Sequence, residues 1–114
     1  MRAVIQLDTF PETGIHVIRE GNSIRIFFDF SASEEGGYNC QNVDLRTPIT
    51  YDRVVSAIIT DAYTIDKREA IFANYEEAKD AGSNITEDKR AEYISEYNQF
   101  QAWRRMAKQI AKMI

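Results

Sequence analysis

His16 and Cys40 are the only imidazole and the only thiol in this 114-residue chain, so any catalytic or metal-binding constellation has to be completed by carboxylates. A zinc site takes at least three protein ligands, and one Cys and one His in separate stretches supply too few. His16 therefore reads as a packed or surface imidazole. Asp29, Glu34 and Glu35 offer oxygen ligands for a hard cation, but their positions lack calcium-loop spacing, and a solvated acidic turn explains them. Asp52, Asp61 and Asp66 suggest paired acids until their places are considered. Each sits near the end of a helical segment, where Asp serves as a capping or turn residue. Gly36-Gly37 is not followed by the lysine and hydroxyl that a phosphate-cradling loop needs. The residue types thus point away from an enzyme, and no cofactor, metal or small-molecule substrate is expected.

The remaining chemistry is charge. The formal net charge of -4 and pI near 5.0 disfavour a general polyanion binder, whose affinity comes from neutralising phosphates with Lys and Arg. The distribution is uneven: residues 1 to 49 carry four arginines and no lysine against seven acids, while residues 101 to 114 carry four bases and no acid. That basic end also holds the only tryptophan. Trp103, Arg104, Arg105, Met106, Lys108, Lys112, Met113 and Ile114 are therefore the candidate partner-binding residues, since methionines beside an aromatic anchor make adaptable contact material. The competing reading makes Tyr97, Phe100 and Trp103 core, and Phe100 fits it best.

These residues belong to a stretch from Thr86 to Ile114 in which Tyr93, Tyr97, Phe100, Trp103, Ala107, Ile110 and Ile114 recur at steps of three or four. That spacing predicts a long amphipathic helix. Thr86 is its N-cap, Glu87 and Asp88 fall in the first turn, and the bases crowd the last turns, so charge opposes the macrodipole at both ends. Two shorter helices precede it. Thr50 caps one with Tyr51, Val54, Val55, Ile58, Ile59 and Ala62 as a broad apolar face, buried on most of its circumference. Thr64 caps another running to about Ala81, with Ile71, Phe72, Tyr75 and Ala78 inside and Gly82 as its stop.

The first 46 residues have strand character. Arg2 to Leu7, Ile15 to Arg19, Ser23 to Phe30 and Tyr38 to Leu45 are β-branched or alternating runs separated by turn residues. Glu20-Gly21-Asn22 makes the middle two a hairpin, with Gly21 and Asn22 able to take positive φ. Ile24, Ile26, Phe28 and Phe30 alternate onto one dry face, which makes this strand central. Ser31 to Gly37 reads as an exposed loop. In the fourth strand Tyr38 and Cys40 differ in parity from Val43 and Leu45, so a bulge near Gln41 and Asn42 is expected.

The fold class that follows is α+β: an N-terminal antiparallel meander of about four strands, residues 1–46, then three helices over 50–114, the last one long. Length and a 44% hydrophobic composition suit one domain with one core. A lone cysteine forbids an intrachain disulfide and makes a reducing interior the default. No apolar run reaches the roughly 18 residues of a membrane span, and Met1 to Leu7 is too short for a signal peptide. A cytoplasmic protein is expected.

Two helices joined at Tyr63-Thr64 also describe a helix-turn-helix over residues 54–75, with Lys67 and Arg68 near the start of the reading helix. Asp66, Glu69, Glu76, Glu77 and Asp80 on the same element oppose docking to phosphates. Finally, Tyr51-Asp52-Arg53-Val54-Val55-Ser56-Ala57-Ile58-Ile59, Tyr63-Thr64, Ala70-Ile71-Phe72-Ala73-Asn74-Tyr75 and Gln101-Ala102-Trp103-Arg104-Arg105-Met106-Ala107-Lys108 resemble small uncharacterised proteins of phages and integrated elements of gut Bacteroidetes. The resemblance covers about the last 65 residues. It implies a phage or mobile-element accessory protein. The expected function is a non-enzymatic binding or assembly module that uses the last helix for a protein partner or self-association; the alternative is a small DNA-associated regulator.

Overall fold

Three threonines set the helical half of the chain. Thr50, Thr64 and Thr86 each have extended backbone and accept through the side chain from the amide three residues on, Arg53, Lys67 and Lys89, at 3.1–3.2 Å. Each bond satisfies an otherwise orphaned N–H of a first turn. The computed structural model describes all residues 1–114 and places after these caps α1 (Tyr51–Ala62), α2 (Ile65–Lys79) and α3 (Glu87–Met113). Before them come β1 (Arg2–Ile5), β2 (Ile15–Glu20), β3 (Ser23–Ala32) and β4 (Tyr38–Arg46).

All strand pairs are antiparallel, in the order β1-β4-β3-β2. The meander is β2-β3-β4, and β1 returns to the far edge beside β4. The β2–β3 hairpin closes over Gly21-Asn22 with Glu20 opposite Ser23. Only Gly21 takes positive φ (56°), so Asn22 is an ordinary second turn residue and glycine occupies the first central place, as a II′ turn requires.

Ile24, Ile26 and Phe28 of β3 and Val43 and Leu45 of β4 face the helices and join Val54, Ile58, Ile59, Ile71, Phe100, Ala107, Ile110 and Ala111 in one core. Phe30 does not continue that row. The register slips between Phe28 and Ser31, where β3 spends one more residue than β4, and Asp29 takes φ 57°. This bulge resets the side-chain parity. Phe30 instead meets Phe10 and Tyr38 edge-on at 6.1 and 6.3 Å. The bulge expected at Gln41 and Asn42 is thus on the neighbouring strand. The mixed parity of β4 has another cause: Cys40 is fully buried but outside the helix-facing core, and alternation puts it on the opposite face with Phe27. Both sides of β4 are partly covered.

α1 buries one face, through Val54, Ile58 and Ile59, and leaves Tyr51 exposed, so it is less enclosed than its composition suggests. The Arg53 guanidinium donates to the carbonyls of Arg46 (3.0 Å) and Pro48 (2.6 Å), which ties the start of α1 to the end of β4. α2 stops at Lys79, before Gly82. Asp80 closes it, its amide donating to Glu77 and its Oδ1 accepting from the Gly82 amide at 2.9 Å. The Arg90 guanidinium of α3 donates to the carbonyls of Ala78 and Asp80, placing a cation at the negative end of α2.

α1 and α2 each pack on α3, while they scarcely touch one another. At 1.5 Å per residue α3 is about 40 Å long, and its first half runs along α2, with Tyr97 against Phe72 and Tyr75 and Arg90 at the end of that helix. The molecule is elongated as a result, 54 × 36 × 20 Å with a radius of gyration of 17.2 Å, against about 13 Å for a compact chain of this length.

Candidate protein-contact surface

The last four turns of α3 divide the candidate residues into two groups. Trp103, Met106 and Ile114 are partly buried and pack against the core. The Trp103 indole lies 5.9 Å from the Phe28 ring and 6.4 Å from Tyr63, and its Nε1–H donates to the Ile58 carbonyl at 3.1 Å. This residue therefore joins α3 to α1 and the sheet: its N–H is satisfied inside the fold, and the indole keeps one edge toward solvent. Ile110 (4% exposed) and Ala111 are buried beside it. The aromatic weight of the stripe is spent internally.

Arg105, Lys108, Lys112 and Met113 are exposed. Steps of three and four place the three bases together, turned away from Ala107 and Ile110. Arg104 is half-buried, donating to Gln101 Oε1 at 2.7 Å with its guanidinium 6.0 Å from the Phe100 ring. None of the chain's ion pairs involves these four bases. All eighteen acids lie before residue 101, so α3 ends in a cationic face with no internal counter-charge.

The other candidates stay apart. His16 is half-buried on β2 with its ring 5.9 Å from Phe27, while Cys40 is on β4 with β3 between them. The Cys40 thiol is 3.7 Å from the Ala3 carbonyl, and burial pushes it up from its ordinary range. A thiol held protonated is a poor nucleophile. Asp29 pairs with Arg2 at 3.6 Å, and Glu34 and Glu35 are exposed in the Ser33–Gly37 turn. Asp52 and Asp66 occupy first turns of different helices and Asp61 the last turn of α1. No group of three or more His, Cys, Asp or Glu side chains is placed to hold a metal ion. No helix is long and apolar enough to cross a membrane.

Sequence reasoning followed the apolar stripe of α3 and passed over the side opposite. There Ala91, Ile94, Ser95, Asn98, Gln99 and Ala102 line a shallow exposed groove, with Ile94 38% exposed. A signal was present: Ile94 is the one large aliphatic residue of α3 out of phase with Tyr93, Tyr97 and Phe100. Geometry and charge together define an α+β domain with a long, one-sidedly exposed helix. Comparison with protein-family models, with curated proteins and with solved structures gave no match.

Proposed function

We propose that the chain is a non-enzymatic protein-contact module whose working surface is the exposed side of α3, with Arg105, Lys108, Lys112 and Met113 at its cationic end. The observation that carries this reading is the row of bases without ion-pair partners on a helix whose opposite face packs on the core through Phe100, Ala107, Ile110 and Ala111. A surface of this kind favours an acidic protein partner, because complementary charge steers encounter and fixes register. The phage or mobile-element setting rests on the sequence resemblance of residues 51–59, 63–64, 70–75 and 101–108. A DNA-associated regulator is less supported. A helix-turn-helix needs its first helix braced on the second, whereas here both lean on α3, and Arg68 is half-buried with its Nε enclosed.

Replacing Arg105, Lys108 and Lys112 together by Gln tests the reading. The variant should keep its melting temperature and lose charge-dependent complexes seen by cross-linking and sedimentation, while duplex DNA shows no specific binding across a salt series. Complexes unchanged by the triple replacement would overturn it. So would duplex binding with a steep salt slope that the replacement abolishes, since that slope counts neutralised phosphates.

A further inference from the structure

The outer side of α3 carries a charge pattern that reverses from end to end. Glu87, Ala91, Ile94, Asn98, Ala102 and Arg105 follow one another at steps of three and four, and all are exposed. Glu87 and Asp88 occupy the first turn, and the exposed bases Arg105, Lys108 and Lys112, which make no ion pair, lie at the other end. Asp88 makes no ion pair, and Glu87 meets only Arg90, at 3.6 Å across an exposed surface. One face of one helix therefore presents an acidic half and a basic half, with Ile94 and the groove around it between them.

We infer that this face binds the same face of a second copy of the chain, antiparallel, about a two-fold axis near Asn98. The inference rests on the protein-contact reading above and names its partner. In that arrangement residues whose numbers are equally spaced from 98 lie at one level, so 91 meets 105, 94 meets 102, and Glu87 comes level with the turn that holds Lys108. Lys108 and Arg105 then come within reach of Glu87 of the other copy at both ends of the pair, with Asp88 beside it adding to the negative potential of that end. Ile94 lies over Ala102, whose small side chain lets the helix axes approach to the usual 8–10 Å. A parallel pair would set bases on bases, and a uniformly acidic partner would satisfy the basic half while repelling Glu87 and Asp88. The self-pairing is the occupant that matches both halves, and a two-fold makes the contact closed and isologous.

Sedimentation equilibrium of the full chain tests this directly. The dimer expected at low salt should weaken as salt screens the end contacts. A variant with Arg105→Glu and Lys108→Glu should raise the dimer Kd at least about tenfold, and so should a variant with Glu87→Lys and Asp88→Lys. A 1:1 mixture of the two should associate, because one copy then carries Glu at 87, 105 and 108 and the other carries Lys or Arg at the same three positions. Circular dichroism shows whether each variant remains folded, and Ile94→Arg gives an independent block at the centre. A chain that stays monomeric into the millimolar range overturns the inference, as does a dimer indifferent to charge reversal or a mixture that does not associate. A monomer that still loses an acidic partner on replacement of Arg105, Lys108 and Lys112 by Gln sinks the second copy and leaves the contact surface standing.

Discussion

Trp103 is the residue at which a scaffold role and a contact role for α3 diverge most, so its truncation is the most informative stability measurement. Trp103→Ala removes an indole that packs on Phe28 and Tyr63 and donates to the Ile58 carbonyl. Full truncation of a buried Trp costs about 3–5 kcal/mol; because Trp103 is only partly buried, about 2–4 kcal/mol is expected. Trp103→Phe keeps most of the ring packing and loses the hydrogen bond, a net term of about 1 kcal/mol. The Ile58 carbonyl remains placed for its α-helical bond within α1, so it is not left as an orphan that would enlarge that loss. Urea unfolding followed by far-UV circular dichroism measures both, since the variants lack the fluorophore. The order wild type, Phe, Ala with those spacings supports the interior role. An alanine variant within about 0.5 kcal/mol of wild type, the range of an ordinary surface change, would refute it, and more plainly still if association were lost.

Two further outcomes follow from the sheet and its buried groups. Asp29 holds φ 57° at the bulge in β3, so Asp29→Gly should be tolerated, whereas Asp29→Val should cost about 1–2 kcal/mol by forcing a side chain branched at Cβ into the left-handed region; equal stabilities in a melting comparison would remove the strain argument. Burial raises both the Cys40 thiol and the Tyr63 phenol. The folded state then keeps its proton where the unfolded chain has released it, so stability is complete below the ordinary thiol range, about 8.5, and falls as pH climbs through the thiol and phenol ranges. Unfolding at pH 7, 9 and 10.5 should show a progressive loss, reduced in Cys40→Ser or Tyr63→Phe relative to each variant's own neutral value; a flat profile would contradict the assignment.

The local grammar of the helices was legible in residues alone. Thr50, Thr64 and Thr86 cap where they should because the bond each makes is with an amide three residues away, and no distant contact decides it. The periodicity of Tyr97, Phe100, Ala107 and Ile110 likewise names the buried side of α3, and the strand-like runs name four strands. What the chain does with those elements depended on long-range pairing. That β1 joins β4 rather than β2 is settled across some 40 residues, and that the bulge falls in β3 rather than β4 depends on how two strands share a register. The separation of Trp103 from Arg105, Lys108 and Lys112 was also out of reach: a partner anchor and a core residue have the same apolar signature, and only the nearness of Phe28, Tyr63 and the Ile58 carbonyl decides for the core. The outer face of α3 became a surface for the same physical reason. Periodicity shows which side of a helix is apolar, but whether the other side meets solvent depends on where α1, α2 and the sheet come to rest, and here all of them lie against the stripe of Phe100, Ala107 and Ile110.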